Sequence, residues 1–158
     1  MLRLSKLTDY GTVIMSYMAR EPEKMRSAGE VAEAIGIAQP TASKILKILT
    51  RASLVHSLRG AKGGYVLARP PEQISIAEVI DAMEGHFGMT ECGVASNLCP
   101  HDGHCPVRVN WQDINRVIRD ALSGITLVDM TRPHPIAETN PVANPVIVRD
   151  RRAKLASI

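Results

Sequence analysis

Apolar residues recur with helical spacing over the first part of this chain, and caps and turns punctuate the runs. Leu7, Gly11, Ile14 and Met18 stand three or four residues apart, which predicts an amphipathic helix over residues 6–20, ending before "EPEK". In "SAGE", Ser27 is an N-cap and Glu30 sits three residues on, the arrangement that satisfies two orphan amide donors at a helix start. That second helix runs to Ile35. Gly36 can take the left-handed conformation that closes it, and Pro40 suits the first turn of a third helix over about 40–52 because its missing N–H would have no partner there. Two helices joined by a tight glycine turn predict a helix-turn-helix. On the third helix Ala42, Ile45, Leu46 and Leu49 fall within an arc of about 100°, while Ser43, Lys44, Lys47 and Arg51 cluster on the other side.

The period then changes. Residues 54–58 and 65–68 read as two short strands around a turn containing Gly60, Gly63 and Gly64, a hairpin with Arg59 and Lys62 at its tip. Glycines there let the backbone approach another molecule closely. "ISIAEVIDAMEG" restores the helical pattern: Ser75 caps, Glu78 completes the capping box, Ile74 can staple against Val79, and Gly85 closes the helix. Further on, Val107, Trp111, Ile114, Ile118, Ala121 and Ile125 follow at steps of 4, 3, 4, 3 and 4, a narrow heptad seam that favours pairing with a second copy over packing on the same domain. From 132 onward prolines and polar residues remove any apolar period, which predicts a disordered tail with a basic "RDRRAK" near its end. The expected class is mostly α with a small β-hairpin wing. Its expected parts are a winged helix-turn-helix domain (1–85), a cysteine-rich loop (86–106), a long dimerisation helix (107–131) and the tail (132–158).

Composition narrows the partners. With 158 residues and 45% hydrophobic content the chain can bury a sizeable core. No apolar run approaches the roughly 18 residues of a membrane span, and "MLRLSKLTDYG" lacks the apolar stretch of a signal peptide, so a cytoplasmic location and no membrane partner are expected. Charge is uneven: residues 1–71 carry 11 Lys+Arg against 5 Asp+Glu, and residues 72–158 carry 8 against 11. A basic front half on a cationic helix and wing favours double-stranded DNA. A nucleotide loop is excluded, because no G-x-x-x-x-G-K-[ST] is present and the glycine turn joins two strands. A non-DNA module using the basic face on another acidic partner is the rival class.

All three cysteines lie in "ECGVASNLCPHDGHCPVRVNW", residues 91–111, a segment that reads as neither helix nor strand. An odd number of thiols in a reducing compartment argues against a structural disulfide. Three chemistries remain open on the residues alone: an iron-sulfur cluster on Cys92, Cys99 and Cys105; structural zinc completed by His101 or His104; and a thiol redox switch. Zinc sites usually contain a close C-x(2-4)-C pair, which is missing here. His101, Asp102, His104 and Cys105 could suggest a nucleophile and base, but no oxyanion-hole motif accompanies them, and no enzyme is expected.

The order "LTDYG", "IGIAQPTASKILKILTRASLV", "LRGAKGGYVLARP", "ISIAEVIDAMEG" and three cysteines before a tryptophan-bearing helix resembles the Rrf-two superfamily of bacterial transcription regulators over about residues 1–130. It looks most like the iron-sulfur cluster assembly branch (IscR-like, SUF-system). The resemblance implies a winged-helix homodimer that binds palindromic promoter DNA as a repressor of assembly genes. It also implies an iron-sulfur cluster, 2Fe-2S rather than 4Fe-4S, on Cys92, Cys99 and Cys105. The candidate DNA contacts are Thr41, Ser43, Lys44, Lys47 and Arg51 on the third helix, with Arg59, Lys62, Gly63, Gly64 and Tyr65 on the wing. Two departures stand out. That branch commonly spaces its cysteines five and five with a histidine three positions after the last, whereas here the spacing is six and five and Arg108 takes the histidine's place. Arginine cannot be the fourth ligand, which leaves His104 as the candidate, with His101 or Asp9 of the partner subunit as alternatives.

Overall fold

The computed structural model describes residues 4–60, 63–86, 88–94, 98–100 and 104–132. Helix α1 (Lys6–Ala19) starts where the Ser5 side chain accepts from the Thr8 amide, and it buries Ile14, Met15 and Met18. Helix α2 (Ala28–Ile35) has the full capping box of Ser27 and Glu30 and closes on Gly36 at φ 70°, as the spacing predicts. Helix α3 (Gln39–Arg51) carries a proline in its first turn and buries Ala42, Ile45, Leu46 and Leu49, the apolar arc read from the sequence. Strands β1 (Val55–Leu58) and β2 (Gly64–Leu67) pair antiparallel, with Val55 opposite Leu67 and Leu58 opposite Gly64. A 3-10 turn over Pro71–Gln73 leads to α4 (Ile76–Glu84), again with a complete capping box, from Ser75 and Glu78. One continuous core joins these elements through residues such as Ile14, Val31, Leu49, Val55, Ile74 and Val79.

Arg26 fastens the hairpin to the helices. Only 2% exposed, it donates from Nη1 to the carbonyls of Glu21 and Lys24, pairs through Nη2 with Glu21 Oε2 at 2.7 Å, and lies 4.9 Å from the centre of the Tyr17 ring. These bonds satisfy both terminal nitrogens and offset the cost of burying the charge, while Nε is buried without a partner. Its main chain then pairs with β2: the Arg26 N–H donates to Tyr65 O (3.0 Å) and the Tyr65 N–H to Arg26 O (2.8 Å). Glycine is required beside this rung, because a Cβ at Gly64 would stand 2.6 Å from Arg26 O.

Two parts differ from the sequence expectation. The cysteine segment contains a short helix, α5 (Glu91–Val94), too brief to leave a periodic signal. The expected helix over 107–131 is two: α6 (Arg108–Ser123) ends at Gly124, and α7 (Leu127–Thr131) starts from a capping box of Thr126 and Asp129. The break arises because the chain turns back to the domain. Ile76 N–H donates to Ile125 O and Leu127 N–H to Ile74 O, each at 2.9 Å, and Leu127 is fully buried in the core. Residues 133–158, expected to be a tail, lie outside the described residues.

Helix α1 is tied to the end of α4 by Glu84, whose Oε1 accepts from the Ser5 N–H at 2.8 Å and from the Thr8 hydroxyl. Those bonds favour the carboxylate and hold its pKa below the ordinary 4.5. A depressed folded-state pKa contributes stability that is present above the unfolded value and lost as pH falls through the folded one. In Glu84→Gln, acid unfolding followed by circular dichroism should therefore show lower stability than the parent at neutral pH, with the difference disappearing below the carboxylate range.

Candidate DNA-reading face and cysteine site

Helix α3 turns its apolar arc inward and leaves Lys44, Lys47 and Arg51 exposed, with Thr41 and Ser43 half-buried along the same helix. Ala38 caps this helix without a side-chain bond, its carbonyl accepting from the Thr41 N–H at 2.9 Å and the Ala42 N–H at 3.1 Å. On the wing, Arg59 and Gly60 are exposed, Gly60 has φ 120°, and the Gly63 N–H closes the turn on Gly60 O at 2.9 Å. Gly63 and Gly64 are half-buried, while Lys62 lies outside the described residues. Tyr65 stands apart from the other wing residues, because it packs against the core and its backbone is bonded to Arg26. The tyrosine lies opposite Ser57, one pair from the turn of the wing, and faces the helices.

Helix α6 has two faces. Asn115, Arg119 and Leu122, rotated roughly 80° from the heptad seam, meet the rest of the chain. Leu122 packs on the core, Arg119 forms an ion pair with Asp81 of α4, and Asn115 is buried. The seam itself stays outside: Val107 is 46% and Ile114 42% exposed, Ala121 is exposed, and Trp111 and Ile118 are half-buried. Beside it Val117 is 65% exposed. Ile125 belongs to the return strand after Gly124 and not to the helix.

Cys92, Cys99 and Cys105 are all half-buried and none is in a disulfide. Cys92 lies on α5, its Sγ 3.2 Å from the Thr90 hydroxyl, and α5 packs on α6. Cys105 directly precedes α6, its carbonyl accepting from the Arg108 N–H at 3.3 Å. His104 is exposed, Asp9 is exposed on the first turn of α1, and His101 lies outside the described residues. By donor chemistry, three thiols fit a thiolate-bound iron-sulfur cluster, and with one histidine they fit zinc. Their described positions place them in one segment without gathering three ligands round a point: among the described residues no three His, Cys, Asp or Glu side chains form a metal-holding group.

Sequence reasoning missed Arg26, Asn115 and the Asp81–Arg119 pair, all of which act across distant parts of the chain. The Thr126-x-x-Asp129 box was a readable signal for α7. Among the described residues no helix is long and apolar enough to cross a membrane.

Comparison with known proteins agrees with this architecture. Protein aau3 of Rhizobium meliloti is 33% identical over 135 residues, spanning 85% of this chain and 88% of aau3. Among solved structures, T. potens IscR superimposes with a TM-score of 0.64 and 28% identity over 89% of this chain and 94% of IscR. CymR, the global cysteine regulator of B. subtilis, does so with a TM-score of 0.63 and 28% identity over 83% of this chain and 97% of CymR. The sequence profile of the Rrf2 family, Iron-dependent Transcriptional regulator, matches residues 4–133. The chain belongs to the Rrf2 family of winged-helix transcription regulators and is a DNA-binding protein, not an enzyme.

Proposed function

We propose that this regulator works as a homodimer on palindromic promoter DNA and that Cys92, Cys99 and Cys105 hold an iron-sulfur cluster whose presence sets its affinity for the promoters of cluster-assembly genes. The observation that carries the reading is the position of three half-buried, unpaired thiols on the one segment that joins the winged domain to α6. Likeness to T. potens IscR over most of both chains supports it.

In this reading Lys44, Lys47 and Arg51 meet the major groove, while Arg59 and Lys62 of the wing meet phosphates. The exposed stripe of Val107, Ile114 and Val117 pairs with its copy, which places two reading heads on two half-sites. Such a stripe is costly to leave in water. Cys92, Cys99 and Cys105 would hold the cluster, and when bound it would supply iron- and oxidant-sensitive thiolate ligation to this segment. The chain contributes the Thr90 hydroxyl, which can donate to the Cys92 sulfur, and the packing of α5 on α6, which places the first thiol beside the dimer helix. Ligation changes DNA affinity only by as much as it favours one dimer geometry over another. The holo-dimer represses assembly genes, and loss of the cluster to iron shortage or oxidants relieves that repression. His104 is the candidate fourth ligand, with His101 or Asp9 of the partner subunit as the alternatives.

A thiol redox switch on the same cysteines is the second reading, favoured by their spread positions. Protein purified without oxygen should be brown, with iron and acid-labile sulfide in equal amounts. Colourless protein with stoichiometric zinc, or metal-free protein with oxidisable thiols, would replace the cluster reading. With all three cysteines changed to serine, promoter occupancy should no longer differ between air and argon.

For the wing, Arg59→Ala should leave the circular dichroism spectrum unchanged, since Arg59 is exposed. It should weaken promoter binding and make the fall of log K with log salt shallower by about 0.9 for each phosphate that the variant leaves unneutralised. For the seam, Ile114→Asp should convert a dimer to a monomer in sedimentation and abolish binding to a two-half-site palindrome, because a buried unpaired charge costs several kcal/mol.

A further inference from the structure

Asn115 is the one residue of α6 that the structure buries, at 9% exposure. Asparagine is a poor choice for that place on packing grounds, since its amide must be desolvated and it favours backbone-bonded conformations outside helices. Its bonds explain its presence. Oδ1 accepts from the Met89 N–H at 2.7 Å, and Nδ2 donates to the Trp111 carbonyl at 2.9 Å. Both ends of the amide are therefore held, and the loop ahead of Cys92 hangs from it.

The turn around Cys92 is shaped to this amide. Gly93 lies so close to Asn115 that a Cβ there would fall on the amide group, which cannot swing aside without breaking its two bonds. Gly88 is also tight, since its Cβ would stand 2.8 Å from the carbonyl carbon of Gly93. Between them the Gly93 N–H donates to Thr90 O at 2.9 Å, and the Thr90 hydroxyl reaches Cys92 Sγ. Two glycines let the chain lie flat on α6, and the amide pegs it there.

We propose that Asn115 is the positioning residue of the thiol site, fixing the Met89–Cys92 turn on α6 so that Cys92 stands at a set place relative to the dimer helix. The proposal rests on the cysteine-sensor reading for what the thiol holds. Its geometry does not require any particular ligand.

The test uses the full-length chain, reduced and metal-stripped, with iodoacetamide as the probe and alkylation at each cysteine resolved by mass spectrometry. In Asn115→Ala, Cys92 should react roughly fivefold faster than in the parent, the factor that the loss of one net hydrogen bond supplies, while Cys99 and Cys105 keep their rates. Asn115→Leu, similar in size and without the bonds, should behave as Asn115→Ala. Asn115→Asp keeps the acceptor for Met89 but sets a carboxylate oxygen against the Trp111 carbonyl, so it should bring the Cys92 rate back only part of the way. Gly93→Ala should speed Cys92 alone, and combining it with Asn115→Ala should add nothing, because the group it collides with is gone.

Equal acceleration of all three thiols, or no rescue by Asn115→Asp, would reduce Asn115 to a general stabilising role and overturn the proposal. An unchanged Cys92 rate in a folded Asn115→Ala would overturn it as well. Should Asn115→Ala not fold, Gly93→Ala and Asn115→Asp decide by the same criteria. Purified protein without iron would remove the cluster reading and leave this proposal standing; iron-bearing protein whose Cys92 ignores Asn115 would remove this proposal alone.

Discussion

A guanidinium that cannot reach water governs the reading head. Arg26 is closed in by two carbonyls, one carboxylate and the Tyr17 ring, and losing any of them would leave part of a buried charge without a partner. The same residue's main chain forms the third rung beside β2. An isolated two-stranded hairpin is marginal in water, so the wing takes its fixed attitude from this rung and from the packing of Tyr65. The angle between the wing and α3 is therefore set from behind by a buried residue.

Helix α6 is the second organising element, because its two faces answer to different partners. The inner face is polar and specific: Asn115 holds the cysteine turn and Arg119 holds Asp81. The outer face is apolar and repetitive, which suits a copy of itself. A thiol segment joined to such a helix can influence how two copies meet without touching the DNA-reading residues. The same architecture is shared with T. potens IscR and with CymR, the global cysteine regulator of B. subtilis.

Most of the head was legible in the sequence because its signals are local. Ser27 with Glu30, Ser75 with Glu78, and Gly36 are cap devices complete within a few residues, and the apolar arc of α3 is one face of a single helix. The seam of α6 was legible for the same reason, although its C-terminal limit was not. Ile125 fits the heptad by spacing, yet its carbonyl is claimed by Ile76, a residue about fifty positions earlier, and only that long-range bond ends the helix. Arg26 and Asn115 escaped notice on similar grounds. Nothing adjacent to either predicts that Tyr65 or Met89 will arrive beside it.

The return of the chain after α6 carries a mechanical consequence. Starting residues of α4 and α7, Ser75 and Thr126, sit side by side, bracketed by two backbone bonds, while Arg119 pins the helix further up. These moorings lie along the length of α6 and tie it to α4 at both places. In the proposed dimer, a tilt of a few degrees where two protomers meet would sweep the distant wing tips through a long arc, and half-site spacing would be the quantity that registers it.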